Sequence, residues 1–386
     1  MCTKTIMQLK PFTQSIYNTN YCNIADQLNI ISNGDYIFYY DETNNDRKIK
    51  INQDRLNLSM NNLLQDFVLG GVMVKGNANI DISALKKAVH LQADELKLKH
   101  LGGKGLSFFD CMKQKKIRIF LEWLSEQDIY IHYSNVNKLY YISTEIIDSV
   151  CQANEMRELL DYNKTLLYHF ILKDYNFFEN LMIHNHYPVM SKAEIKNFYT
   201  DLLHYIQSRY NDNPNYLSLI SLLMKGRDID QMAFWGDNLI MKNGEVPIWT
   251  DFSDCYIERL AMFHHSKHIF DQESEIAKIL NRYNIVHDDH VIRYEFIDSK
   301  DITADLIQIS DCFIGLVGKF YTTLNTSIIT NQYYEYPLDN NQKNSLKYFG
   351  NLLKKSDDFC MPLLSGTTER SVRQLESSYL NQFIQF

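Results

Sequence analysis

Tyr36-Ile37-Phe38-Tyr39-Tyr40-Asp41-Glu42 is an aromatic, β-branched run that ends in two carboxylates, with Asn33-Gly34-Asp35 before it and Thr43-Asn44-Asn45-Asp46 after it. A run of this kind between turn-forming clusters predicts a strand that delivers Asp41 and Glu42 to the end of a sheet. Outward from it, Arg47-Lys48-Ile49-Lys50-Ile51 alternates with period two. Phe67 to Val74 (FVLGGVMV) is a continuous apolar run of strand length, in which Gly70-Gly71 marks a bulge or a close backbone approach. These three stretches predict an antiparallel meander.

Helical spacing of Ile82, Leu85, Val89 and Leu96 predicts a helix from Ile82 to about Lys99, closed by Gly102-Gly103. Phe108 to Trp123 reads as a second helix and Ile129 to Tyr133 as a fourth strand. Residues 138–255 are helical or loop in nearly every pattern and read as an insertion against one edge of the sheet. Its aromatic side chains (Tyr140, Tyr141, Tyr162, Tyr168, Phe170, Tyr175, Phe177, Phe178) are expected to fill a helical core. Beyond it lie a helix from Cys255 to His268, another from Gln272 to Arg282, a strand from Val291 to Ile297 and a helix from Thr303 to Thr322. A meander followed by strand and helix predicts an α/β fold with a mixed five-stranded sheet flanked by helices. The expected organisation is a discontinuous core (1–137 and 256–330), the helical insertion and a C-terminal helical segment (331–386).

The composition is that of a folded chain, with 45 % hydrophobic and 22 % charged residues among 386. Fourteen glycines and six prolines leave no room for long flexible linkers. Seven scattered cysteines without a CxxC pair argue against a disulfide framework and a cysteine zinc site, so a cytoplasmic location is expected. No signal-peptide core is evident, and no stretch approaches the ~18 apolar residues that span a bilayer. The net charge of −8 disfavours indiscriminate adhesion to polyanions, although Lys86 to Arg118 holds nine basic against three acidic residues. That segment is either a solvated face or a phosphate-contacting flank.

Three carboxylate positions could carry chemistry. Asp41-Glu42 ends the aromatic strand. Asp298, followed by Ser299-Lys300, ends the strand VIRYEFI. In the helix from Thr303, Asp311 shares a face with Ala304, Gln308, Gly315 and Gly318. Glycines weaken a helix by about 1 kcal/mol each, so that face is expected to be approached closely by a backbone or a ligand. The plainer alternatives are turn formation at Asp41 and Asp298 and solvent exposure at Asp311. If the three converge, hard oxygen ligands of this kind suit Mg2+ or Mn2+, and a pair of such ions can clamp a phosphodiester.

The order of Asp41-Glu42, FVLGGVMV, Glu95-Leu96-Lys97, IYIHY, Asp298-Ser299-Lys300 and Gln308-Ile309-Ser310-Asp311 resembles the bacterial family called domain of unknown function 3800. The resemblance covers residues 34–134 and 285–323, about a third of the chain, with Thr43 and Ser310 where that family has Ser and Ala. It implies a ribonuclease H-like fold in which Asp41, Glu42, Glu95, Asp298 and Asp311 form the catalytic set. Asp41, Asp298 and Asp311 would be metal ligands, supported by Lys97, Ser299, Lys300 and Gln308. The implied activity is a metal-dependent nuclease using Mg2+ or Mn2+ on RNA or DNA, in a phage-defence or mobile-element setting. A non-catalytic module that binds a protein or nucleic-acid partner, or a second copy of the chain, is the competing class.

Rival chemistries find less in the sequence. His264 and His268, four apart on an expected helix, could grip zinc with Asp271 or with His287-Asp288-Asp289-His290, but no HExxH accompanies them. No GxSxG elbow is present, and Cys111 before Lys113 is the sole cysteine in a basic setting. Leu101-Gly102-Gly103-Lys104-Gly105 lacks both the first glycine and the Ser/Thr of a phosphate loop.

Overall fold

Every residue from Phe67 to Val74 is buried: Phe67, Leu69 and Met73 enter one hydrophobic layer, while Val68, Val72 and Val74 enter the other. A strand covered on both faces has no polar side to show, which is why FVLGGVMV does not alternate. The computed structural model describes residues 5–8, 21–46, 48–51, 55–151, 157–210, 213–232, 246–249, 251–287, 290–298, 304–333 and 337–386.

The main sheet has six strands, numbered in chain order: β1 (Tyr36–Thr43), β2 (Phe67–Lys75), β3 (Tyr130–Val136), β4 (Lys267–Asp271), β5 (Arg293–Ile297) and β6 (Leu364–Thr367). Their spatial order is β5-β4-β1-β2-β3-β6. β1, β2 and β3 are an antiparallel meander, whereas β4 runs parallel to β1, β5 parallel to β4, and β6 parallel to β3. The mixed α/β architecture expected from the sequence is therefore present, with YIFYY and Arg293–Ile297 in one sheet, while Val291 pairs with Val286 in a separate sheet.

One face carries α1 (Lys115–Ser125), the long α8 (Asp305–Thr330), α9 (Asn340–Phe359) and α10 (Arg370–Gln385), whose apolar residues join Val68, Val72, Ile131 and Tyr133. The other is covered by α2 (Lys138–Asp148), α3 (Arg157–Lys173), α4 (Tyr175–His184), α5 (Lys192–Tyr210), α6 (Leu217–Gly226) and α7 (Ser253–Met262). Their core is continuous with Phe38, Tyr40, Phe67 and Leu69, so these helices cover a face of the sheet and do not stand at its edge. Arg259 on α7 is wholly buried and donates to the carbonyls of Pro362 (3.1 Å) and Leu363 (3.2 Å), tying α7 to the start of β6.

Several expected elements differ. Ile49–Ile51 is outside the main sheet: with Ile49 buried in the helical layer, this run pairs with Val246–Trp249. The Cys255 to His268 helix stops at Met262, and residues 267–271 form β4, where His268 stacks on Phe38 and Tyr40. Aromatic stacking in the sheet thus overrides a helical-looking histidine spacing. The helix expected over 82–99 ends at Ala88, because residues 95–98 are drawn onto α8. Phe108 to Trp123 divides into a helix at Phe108–Met112 and α1. The C-terminal segment is mainly helical but also supplies β6. Among the described residues, no helix is long and apolar enough to cross a membrane.

Gly70 and Gly71 let the neighbouring layers come close. A Cβ on Gly70 would lie 2.3 Å from the His132 carbonyl oxygen, and one on Gly71 would lie 2.2 Å from both Tyr39 O and Ser310 Oγ. Gly70→Ala and Gly71→Ala should each cost about 3 kcal/mol, because backbone must move to admit the methyl group. Urea unfolding monitored by circular dichroism checks this; a loss below about 0.5 kcal/mol in both variants would contradict it.

Candidate active site

Parallel pairing of β1 with β4 sets Tyr40 opposite Phe270, so Asp41 and Asp271 emerge side by side at the C-terminal ends of adjacent strands. In open α/β sheets this is where ligands are handled. Asp41 is buried, and its Oδ1 accepts the Glu42 backbone N–H at 2.7 Å. The Glu42 carboxylate accepts the Tyr256 hydroxyl of α7 at 3.1 Å.

α8 brings the third carboxyl. Ser310 Oγ accepts the Val72 N–H at 3.2 Å and lies 3.1 Å from Tyr39 O and 2.8 Å from Leu306 O, fixing the helix against β1 and β2. The next residue, Asp311, sits close enough to Asp41 for its charge to raise that carboxyl, and accepts the Leu98 N–H at 3.3 Å. One turn earlier, Gln308 Oε1 accepts the Leu96 N–H at 2.8 Å. These two contacts strap residues 95–98 across the helix and carry Glu95 and Lys97, which pair at 3.1 Å, to the cluster. Gln308 therefore positions the strap with its carbonyl oxygen.

The glycines of α8 now have their reason. A Cβ on Gly315 would meet Leu98 Cδ2 at 2.7 Å, and one on Gly318 would meet Thr43 Cγ2 at 2.6 Å. The close neighbours are thus the strap and the end of β1.

Asp41, Asp271, Asp311 and Glu95 feel the Lys97 ammonium, and Glu42 acts on Asp41 and feels Asp271. Burial, followed by the charges of Glu42, Asp311 and Asp271, holds Asp41 well above the usual carboxylate range. Burial likewise pushes Glu42 up to about 7, against the Tyr256 hydrogen bond. Asp271 and Asp311 are raised chiefly by burial, opposed by the hydrogen bonds from Gln272 and Leu98 respectively and by Lys97. For Lys97, partial burial lowers its pKa, but the Glu95 hydrogen bond and the surrounding carboxylates raise it on balance. The Asp41 and Asp311 carboxyls each favour the neutral form of the other.

Asp298, expected as a metal ligand, lies one residue beyond Ile297, which is opposite Asp271 on the outer strand β5. It is exposed, and its charge reaches the cluster by raising Asp271. Asp271 holds the strand-end position beside Asp41. Reading His264 to His268 as helix hid it, although HIFD repeats the aromatic-run-then-Asp pattern of YIFYYD. Tyr256 carried no comparable signal. Ser299 and Lys300 lie outside the described residues.

The zinc alternative loses its geometry. His268 is buried in β4, with Nε2 3.0 Å from Phe263 O and Nδ1 2.8 Å from the Tyr40 hydroxyl, and burial pushes its pKa down to about 3. His264 stacks on His287 at 3.9 Å instead. Cys111 is buried, which pushes its thiol up and away from reactivity. In the basic segment, Lys86, Lys97, Lys113 and Arg118 pair with Asp305, Glu95, Asp110 and Glu122.

Among the described residues, no group of three or more His, Cys, Asp or Glu side chains is arranged to hold a metal ion. The donors are hard oxygens, the ligand class of Mg2+ or Mn2+. No protein-family model, curated protein or solved structure matches the chain.

Raised carboxyls make stability pH-dependent with a definite sign. Glu42 titrates near 4.5 when unfolded and about 7 when folded, so the native state binds the extra proton between those values and loses its advantage as pH rises. Asp41, Asp271 and Asp311 act in the same direction. Wild type should therefore lose stability from pH 5 to pH 8 more steeply than Glu42→Gln, by up to about 1.4 kcal/mol per pH unit for each proton involved. Parallel urea titrations at several pH values check this; identical slopes would refute it.

Proposed function

We propose that the chain is a metal-dependent nuclease of ribonuclease H-like fold, hydrolysing phosphodiester bonds of RNA or DNA at the Asp41–Asp271–Asp311 cluster. One observation carries the reading: carboxyls from two parallel strand ends and a crossing helix are held together under burial, with Lys97 the cation that acts on them among the described residues. Such crowding costs stability and is kept where a cation or a proton transfer uses it. The strand order β5-β4-β1-β2-β3, with its antiparallel meander and two parallel strands, supports the ribonuclease H-like assignment.

In this reading Asp41, Asp271 and Asp311 would hold Mg2+ or Mn2+, with Glu95 and Glu42 beside them and Asp298 at the outer rim. The ion supplies charge neutralisation for the phosphate and a more acidic bound water. Lys97, on the strap, orients a phosphate oxygen while paired to Glu95. Tyr256 holds the Glu42 carboxylate, and Gln308 fixes the strap that carries Glu95 and Lys97. The helical layer of residues 138–255 would supply substrate or partner contacts.

The raised pKa values of Asp41, Glu42, Asp271 and Asp311 favour a second reading, a non-catalytic module whose cluster stays protonated. Cleavage of single- and double-stranded RNA and DNA with Mg2+, Mn2+ or EDTA separates the two. We expect metal-dependent cleavage that falls ~100-fold or more in Asp41→Asn and Asp311→Asn, together with a higher melting temperature in Mg2+ or Mn2+. Cleavage that persists in EDTA or in both variants would refute the metal site, and no cleavage by wild type would leave the binding module.

A further inference from the structure

Ten residues beyond Asp311, about 15 Å along α8 by the helical rise, Tyr321 lines a separate cavity of about 540 Å3 between β3, α9, α10 and β6. Tyr133 and Tyr321 are buried, their hydroxyls 3.1 Å apart, and both reach Glu376 Oε1, at 3.3 and 2.7 Å. Oε2 has no hydrogen-bond partner among the described residues. The volume lies within the range of small-molecule sites, which combine apolar walls with a few fixed polar groups.

We propose that this cavity is a binding site for a small organic cation, an amine or amidine with an apolar body. Its polar groups select the charge. Lys354 and Arg373 at the rim are paired with Asp358 (2.9 Å) and Asp161 (2.7 Å), and the hydrogen bonds of Glu376 come from the two tyrosines. Asp357, exposed at the rim and within reach of the Lys354 charge, adds a second carboxyl to the lining. Both tyrosine hydroxyls are engaged with one another and with Oε1, which leaves Oε2 as an acceptor. Leu353, Leu364, Leu380 and Ile384 provide apolar surface beside it. An anion would meet two carboxyls, and a neutral ligand would leave the carboxylate unpaired in a partly desolvated site. An ammonium or amidinium satisfies Oε2 and seats its hydrocarbon part on the leucines. Burial pushes Glu376 up to about 7, in keeping with a carboxyl that lacks a cation.

The full chain should be titrated with benzylamine and agmatine, and with benzyl alcohol and benzoate as neutral and anionic counterparts, by calorimetry and thermal melting. We expect saturable one-site binding of an amine with a rise of about 3 °C in melting temperature at saturation, and no such response to the alcohol or benzoate. Glu376→Gln keeps an oxygen for the tyrosine hydroxyls and should weaken amine binding at least ~10-fold, the loss of a charge-assisted hydrogen bond. Leu380→Trp, which fills the cavity and spares the carboxylate, should abolish it and serves if the first variant does not fold. Asp311→Asn should leave it unchanged, separating this site from the carboxylate cluster. Equal binding of amine and alcohol, no binding of either amine, binding that survives both cavity variants, or loss of binding in Asp311→Asn would overturn the assignment.

Discussion

The contact between Ser310 and the β1–β2 pair is the constraint on which the candidate site depends. Ser310 Oγ meets Val72 N and Tyr39 O at hydrogen-bond distance only because Gly71 presents no side chain between them. Once α8 is seated there, Asp311 faces Asp41, and Gln308 faces the Leu96 amide. The strap from Glu95 to Leu98 then has its register set by two backbone N–H groups that would otherwise need partners of their own. A helix, a strand pair and an irregular segment are thus aligned by a few polar contacts inside an apolar sandwich, where such contacts are strong and directional.

That alignment has an electrostatic consequence. Packing three elements around one point fixes the distances between acidic groups, so the chain cannot relax their repulsion by moving side chains into water. Burial and the neighbouring charges raise Asp41, and burial raises Asp311, so both carboxyls hold protons more readily than free ones. Lys97 is the ammonium acting on this group of carboxyls, and its own tie to Glu95 limits how far it serves the others.

Much of this was legible in the sequence where a pattern is local. YIFYY, FVLGGVMV and VIRYEFI each announce strands through composition, and the small-residue face of α8 announces a close neighbour. What escaped was decided by tertiary partners. His264 to His268 has helical histidine spacing, yet His268 belongs to a strand because its ring stacks between aromatic residues of β1 and its nitrogens find Tyr40 and Phe263. With that strand unseen, Asp271 had no reason to stand beside Asp41, and Asp298 took its place. The strap at residues 95–98 was read as helix because Leu96 continues the apolar spacing, but its backbone is spoken for by α8.

The sixth strand bears on how the chain reaches this state. β6 pairs in parallel with β3, and between them in sequence lie the whole helical layer, β4, β5 and α8. Until residues 364–367 arrive, the outer edge of β3 presents unpaired amides and carbonyls to whatever is nearby. The buried guanidinium of Arg259, already on α7, awaits the Pro362 and Leu363 carbonyls in the same interval. Completing the sheet therefore needs a contact across most of the chain, the kind of long-range pairing that slows folding.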